Sequence, residues 1–310
     1  MTFINGLSDE HLMQLHPCTA TIGFFDGVHL GHRYLIRQVA EAATARSLAS
    51  LLITFPVHPR RVMQSNYQPQ LLSTFAEKCR LLSTTQADNC LVLPFTRELA
   101  SFSAHDFMQQ VLYERLQVRT LVIGHDHRFG HNRSESFEDY VRYGKDMGME
   151  VIQAEAYQKD ETSISSSVIR LLLKEGEVDL ARQCLGYRYF LEGHVTGGHQ
   201  IGRTLGYPTA NLIPDSLEKV IPADGVYAVW VHTGTASYKG MLNIGLRPTI
   251  GQGEERTIEV HLLGFNNNLY NQPIRLEFVA RLRNEKKFLS REALAAQLRN
   301  DALETERILS

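Results

Sequence analysis

The sequence predicts an α/β protein in two parts: a parallel sheet covered on both faces by helices, then a small antiparallel barrel or sandwich with a terminal helix. Three features carry this expectation. Over the first 150 residues, short apolar runs alternate with stretches of helical period, the rhythm of strand, crossover helix and strand. From Tyr189 the runs are short and separated by glycine and proline, as in a meander of antiparallel strands. The last twenty residues return to helical spacing.

In chain order, "TATIGFF" reads as a strand and "RYLIRQVAEAATAR" as a helix whose Leu35, Ile36, Val39, Ala40 and Ala43 form one stripe. "SLLITF", "NCLVLPF", "TLVIG" and "EVIQAEAY" read as the strands that follow. The helices between them are "TFAEKCRLLST", "SAHDFMQQVLYERL" and "SFEDYVRYGKDMG", with Ser103 and Asp106 spaced as a capping box. In the second part the strands are "YFLEGHVTG", "GVYAVWVHT", "YKGMLNIG", "RTIEVHLLGF" and "PIRLEFVARLR". In the last of these Ile274, Leu276 and Phe278 alternate with Arg275 and Glu277. The closing helix, "SREALAAQLRNDALETERIL", has Ser290 as its cap. The change of character places a domain boundary near Gly186, giving domains 1–186 and 187–310.

Charge narrows the function classes. Residues 1–186 carry 18 basic and 21 acidic side chains, and residues 187–310 carry 14 and 13, so neither part has the basic field of a nucleic-acid binder. Small molecules are the expected partners. No apolar run approaches the roughly 18 residues that span a bilayer, and the start lacks the basic and apolar regions of a secretory signal. The expectation is a cytoplasmic protein with no membrane contact. Cys18, Cys79, Cys90 and Cys184 are scattered, with no C-x-x-C pair, and read as reduced packing residues.

The chemistry concentrates in "GFFDGVHLGH", residues 23–32. A glycine-punctuated turn leaves the first strand, and His29 and His32 fall at i and i+3 at the start of the next helix, on one face. Gly31 removes a side chain where a phosphate could approach, and the helix start offers free N–H groups. Phosphate binding is therefore the leading reading. Packing histidines, or zinc ligands acting with His125, His127 or His131, are the alternatives, although the H-E-x-x-H spacing is absent.

"GFFDGVHLGH" resembles the H-x-G-H signature of the nucleotidyltransferases, in the form found in bacterial bifunctional riboflavin kinase/FAD synthetases. "TFPVHP", "GHDHRFG" and "ISSSVIR" follow in that family's order. "GRTLGYPTANL", "IPADGVYAVWV", "NIGLRPT", "IEVHLLGF" and "RNEKKF" are similar to its flavokinase domain. The resemblance implies a Rossmann-like nucleotidyltransferase domain followed by a β-barrel flavokinase domain, acting on riboflavin, FMN and ATP with Mg²⁺. It implies phosphate ligation by His29 and His32, and by Arg170 with Ser165, Ser166 and Ser167. It assigns Gly23, Phe25, Asp26, Gly31, Gly197, Gly202 and Gly206 to ATP, and Asp126, Arg128, Asn243 and Arg247 to the flavins. Thr209 and Asn211 match the family's Mg²⁺ ligands, and Glu259 its base for the riboflavin 5′-hydroxyl. By periodicity alone, Glu259 also reads as a carboxylate on a solvated strand face. Three departures from the pattern, Phe24, His127 and Glu135, surround the first site.

Overall fold

The computed structural model describes the chain except residues 8–15, 65, 126, 132–133, 160–161, 198–204, 235 and 250–252, and except the strand side chains at 158–159, 162–163, 247–249 and 253–255. The chain divides into two compact units, Met1–Ser166 and Ser167–Ser310.

The first unit is built on six strands: β1 (Thr2–Asn5), β2 (Cys18–Ile22), β3 (Ala49–Thr54), β4 (Asn89–Val92), β5 (Val118–Ile123) and β6 (Glu150–Gln153). They pair in the order β1-β4-β3-β2-β5-β6, and every neighbouring pair is parallel. All five residues of β2 are buried, which is why it reads as an unbroken run: both of its faces are covered. The crossovers hold α1 (Leu30–Ala45), α2 (Pro59–Met63), α3 (Phe75–Ser83), α4 (Arg97–Ser101), α5 (Ala104–Asp106) and α6 (Phe137–Met147). Helix α1 buries Ile36, Val39 and Ala43, the centre of the expected stripe. In "SAHDFMQQVLYERL", α5 runs into a π-helical segment, Phe107–Arg115, rather than a regular α-helix. Its buried residues recur as the pairs Phe107–Met108 and Val111–Leu112, and the wider π turn keeps both pairs on the core. A two-stranded antiparallel pair, β7 (Gln158–Lys159) and β8 (Thr162–Ser163), follows β6.

Strand order fixes where a ligand can sit. The chain proceeds from β2 through β3 to β4 on one side and then returns to place β5 on the other. The carboxyl ends of β2 and β5 therefore flank the topological switch point, the crevice where open α/β sheets bind ligands. The 23–32 motif leaves β2 at this position.

The unit boundary falls at the first residue of α7 (Ser166–Glu175), and α8 (Val178–Leu185) follows in the second unit. A closed antiparallel barrel follows, made of β9 (Phe190–Thr196), β10 (Ala210–Pro214), β11 (Gly225–His232), β12 (Ser237–Thr249), β13 (Gly253–Leu262) and β14 (Pro273–Arg283). Its order is β10-β13-β12-β11-β14-β9, and β10 pairs with both β13 and β9 to close it. Sequence pattern predicts five of these strands and leaves β10 inside the "GYPTANL" motif.

Helix α9 (Arg291–Ile308), capped by Ser290, packs against β11, β12 and β14. Its buried Asp301 accepts from Arg283 Nη2 at 2.7 Å and Nε at 3.1 Å, and from Gln297 Nε2 at 2.7 Å. Asp301→Ala would leave the partly buried Arg283 guanidinium without its carboxylate, so we expect a loss of about 2 kcal/mol, read from the urea midpoint of the variant.

Candidate active sites

At the switch point the chain turns sharply after β2. Phe25, Gly27 and Val28 take positive φ angles of 54°, 74° and 39°, folding Asp26–Val28 into a 3₁₀ turn. The Asp26 carboxylate, 3% exposed, accepts from the backbone N–H groups of Leu72, at 2.9 Å, and Ser73, at 3.2 Å. The Gly27 N–H donates to Ser73 Oγ at 3.0 Å. Asp26 thus acts on the turn itself, tying it to the segment ahead of α3.

His29 is the N-cap of α1, and its Nδ1 accepts from the His32 N–H at 3.4 Å. That bond leaves the ring proton of His29 on Nε2, as a donor. The His32 ring stacks on the His29 ring at 3.7 Å and 22°. Phe25 meets the His32 ring edge-on at 5.3 Å. A Cβ at Gly31 would lie 3.2 Å from the His29 ring and 3.4 Å from the Ile164 carbonyl, so glycine leaves the ring its position. Burial, then the charges of His29, Lys78 and His127, hold the His32 imidazole well below its usual pKa. His32 is therefore neutral at pH 7, and its buried Nδ1 has no hydrogen-bond partner among the described residues.

The turn has further ties. The Gly23 N–H donates to the Ile53 carbonyl at 2.9 Å. Ser166, the last residue of the first unit, donates from its Oγ to the Asp26 carbonyl at 3.1 Å. Ser165 immediately precedes α7, Ser167 and Arg170 lie on it, and Arg128 is exposed. Asp126 lies outside the described residues. Sequence reasoning missed an aromatic cluster at the ends of β2 and β3: the Phe24 and His58 rings meet at 4.7 Å, and those of His58 and Tyr67 at 5.3 Å.

In the barrel, Glu259 on β13 pairs in register with Asn211 on β10 and with Asn243 on β12. Register partners share a face of the sheet, so the carboxylate is flanked by two amides. Its Oε2 accepts from the Thr209 hydroxyl at 3.3 Å, and its Oε1 from the Thr257 hydroxyl at 3.3 Å. Glu259 is 8% exposed, which removes it from a solvated face. A cavity of about 460 Å³ opens beside Thr209, lined also by Val195, Leu262, Phe265 and Tyr270 among others. His261, which sequence reasoning missed, is buried two residues from Glu259, and its Nδ1 lies 2.7 Å from the Pro208 carbonyl. Burial lowers its pKa, so the neutral ring donates to Pro208 and steadies the turn that carries Thr209. Gly197 and Gly206 face open space. Gly202 lies outside the described residues, as does the side chain of Arg247, whose backbone pairs with Glu255.

A family model described as FAD synthetase matches residues 11–168, and one described as riboflavin kinase matches residues 185–309. The chain is 34% identical over 304 residues to a bifunctional riboflavin kinase/FMN adenylyltransferase of Escherichia coli K12, covering 98% of this chain and 96% of the relative. It is 35% identical to the protein of the same description from Haemophilus influenzae, covering 97% of each. A crystal structure described as a macrolide-efflux protein from Streptococcus pneumoniae superposes with a TM-score of 0.87 at 29% identity, covering 99% of both chains. Among the described residues of the present chain, no helix is long and apolar enough to cross a membrane.

Proposed function

This chain belongs to the family of bifunctional riboflavin kinases/FMN adenylyltransferases, and from that membership we propose how its residues divide between the two reactions. It phosphorylates riboflavin to FMN with ATP, then transfers the adenylyl group of a second ATP to FMN, giving FAD and pyrophosphate. We place both reactions in the cytoplasm, where ATP is supplied.

Adenylyl transfer belongs to the first unit, and the stacked pair His29 and His32 at the start of α1 is the observation that carries the assignment. An FMN phosphate oxygen attacks the α-phosphorus of ATP, the bond to the bridging oxygen breaks, and negative charge passes to pyrophosphate. No enzyme nucleophile is needed. The Nε2–H of His29, the neutral His32 and the free N–H groups of the helix start donate to the phosphoryl oxygens as that charge grows. Gly23, Phe25 and Asp26 shape the turn, Gly31 leaves space for the phosphates, and Ser165, Ser166 and Ser167 are given to the outer phosphates by their motif. Arg170 is given to the same phosphates by its motif, and Asp126 and Arg128 to the flavin. The Phe24–His58 cluster offers an aromatic platform to a planar ring.

Riboflavin phosphorylation belongs to the barrel. Glu259 takes the proton of the 5′-hydroxyl, whose oxygen attacks the γ-phosphorus of ATP as ADP leaves. Thr209 and Asn211 present a hydroxyl and an amide oxygen beside the Glu259 carboxylate, a hard oxygen set that suits Mg²⁺. They would hold the ion, which when bound offsets the negative charge of the nucleotide phosphates. The cavity beside Thr209 receives the nucleotide, with Gly197 and Gly206 allowing close approach, and the motifs give Gly202 to the nucleotide and Asn243 and Arg247 to the flavin. Incubating the purified chain with riboflavin and Mg·ATP, and separating the flavins by chromatography, tests the pair of activities: FAD is expected, and FMN alone would remove adenylyl transfer.

We assign residues 1–186 to adenylyl transfer and 187–310 to the kinase. Helices α7 and α8 nevertheless pack with the barrel: α8 lies against β14, and the Ala223 N–H donates to the Leu173 carbonyl at 2.9 Å. A fragment starting at Ser167 should fold and phosphorylate riboflavin. One starting at Tyr187 should do the same but melt at least about 4 °C lower, because it loses that packing. Calorimetry and flavokinase assays of the two fragments decide this, and an inactive Ser167 fragment would mean that the kinase needs the first unit.

A further inference from the structure

Lys78 on α3 is 2% exposed, and no carboxylate lies within hydrogen-bonding distance of it among the described residues. Its Nζ donates to two backbone carbonyls, Phe55 at 2.7 Å and Phe24 at 3.0 Å. The same ammonium lies 3.9 Å from the centre of the Phe24 ring. Both carbonyls stand just beyond the carboxyl ends of neighbouring strands: Phe55 follows β3, and Phe24 begins the turn that runs from β2 to His29. Burying a cation is costly, and a buried methionine would fill similar volume at no such cost. The place where the cation sits is therefore informative.

We propose that Lys78 is a positioning residue for adenylyl transfer: its ammonium ties the turn that delivers His29 and His32 to the end of β3, and keeps a fixed positive charge beneath the phosphate site. The proposal rests on the assignment of His29 and His32 to that reaction. Three observations support it. The bond to Phe24 fixes the first residue of a turn that already contains three positive φ angles, so the clamp acts where the backbone has no regular ladder to hold it. Asp26, in the same turn, is tied to Leu72 and Ser73, a few residues ahead of Lys78, so two tethers of opposite charge hold the turn to one segment. Lys78 is also among the charges that keep His32 neutral. Burial lowers the Lys78 pKa to about 8 while Asp26 acts to raise it, so the amine remains predominantly charged at pH 7. The other titratable groups acting on it are the thiols of Cys79, on its own helix, and Cys90, on β4; burial raises both, and they stay neutral there.

The test uses the full chain with Lys78→Met, which removes charge and donors, and Lys78→Gln, which removes the charge and keeps N–H donors on a side chain one bond shorter. His32→Ala is run beside them and identifies the His32 resonance in NMR titrations by its loss. Lys78→Met should lower kcat for FAD formation from FMN by about 100-fold, and Lys78→Gln by about tenfold, because small displacements of positioned groups carry costs of this order. Riboflavin phosphorylation in the same preparations should match the parent and report that the chain is folded. In both variants His32 should titrate at higher pH than in the parent, a change that a purely structural lysine would not produce. If Lys78→Met does not fold, Lys78→Gln carries the test alone. FAD formation within threefold of the parent in Lys78→Gln, or an unmoved His32 titration, overturns the proposal. If His32→Ala itself retains FAD formation, the assignment of His32 fails first and the role of Lys78 falls with it.

Discussion

His32→Ala is expected to reduce FAD formation from FMN by about 10²- to 10³-fold, the scale on which removal of one preorganised donor to a developing oxyanion is felt. Riboflavin phosphorylation by the same preparation should run at the parent rate. The effect should fall on kcat more than on KM, because the imidazole is asked to respond to charge that grows only in the transition state. Structural consequences should be small. His32 sits in the first turn of a sixteen-residue helix whose core contacts are made by Ile36, Val39 and Ala43, and these remain. The loss of Phe25 packing against the ring, at 5.3 Å, is the main change expected in the fold. Steady-state assays of both reactions, with circular dichroism as the control, check this. Parallel loss of both activities in a folded chain would remove the pair from the adenylyl site.

The second large effect is expected in the barrel. Glu259→Gln keeps the size of the side chain and one acceptor oxygen for Thr209 or Thr257, with its NH₂ group facing the other hydroxyl as a donor, but it cannot take a proton. A general base contributes about 10² to 10⁴ in rate, so flavokinase turnover should fall by that factor while riboflavin binding changes little. FAD formation from supplied FMN should be unaffected and serves as the internal control. A flavokinase rate within twofold of the parent would reject Glu259 as the base. Burial makes this a sharper test than sequence alone offered, because a carboxylate that is 8% exposed between Asn211 and Asn243 is not a surface substitution site.

The three departures from the family pattern also gain a physical setting. Phe24 packs edge-on against His58 and covers the Lys78 ammonium. His127 contributes to the charges that hold His32 neutral. Glu135 is half-buried, with the Ser134 hydroxyl donating to it at 3.4 Å.

The sequence by itself determined the elements and motifs whose causes lie within a few residues. The stripe of α1 follows from its own period, the Thr74–Glu77 box that starts α3 from a spacing of three, and the His29 cap from its place before Leu30. These are interactions between i and i+3 or i+4, so the local string contains both partners. Tertiary structure decided what depends on distant partners. Strand β10 is five residues long and bordered by glycine and proline, so its own sequence reads as a loop; it becomes a strand because β9 and β13 present free edges on either side. Thr209 meets Glu259 across fifty positions, and Lys78 reaches the Phe24 carbonyl across fifty-four. One signal for Lys78 was present, a charged residue one turn from Leu82 on the buried stripe of α3. Its meaning was not, because a buried lysine is read by what its ammonium touches, and both carbonyls it touches are supplied by the segments that follow β2 and β3.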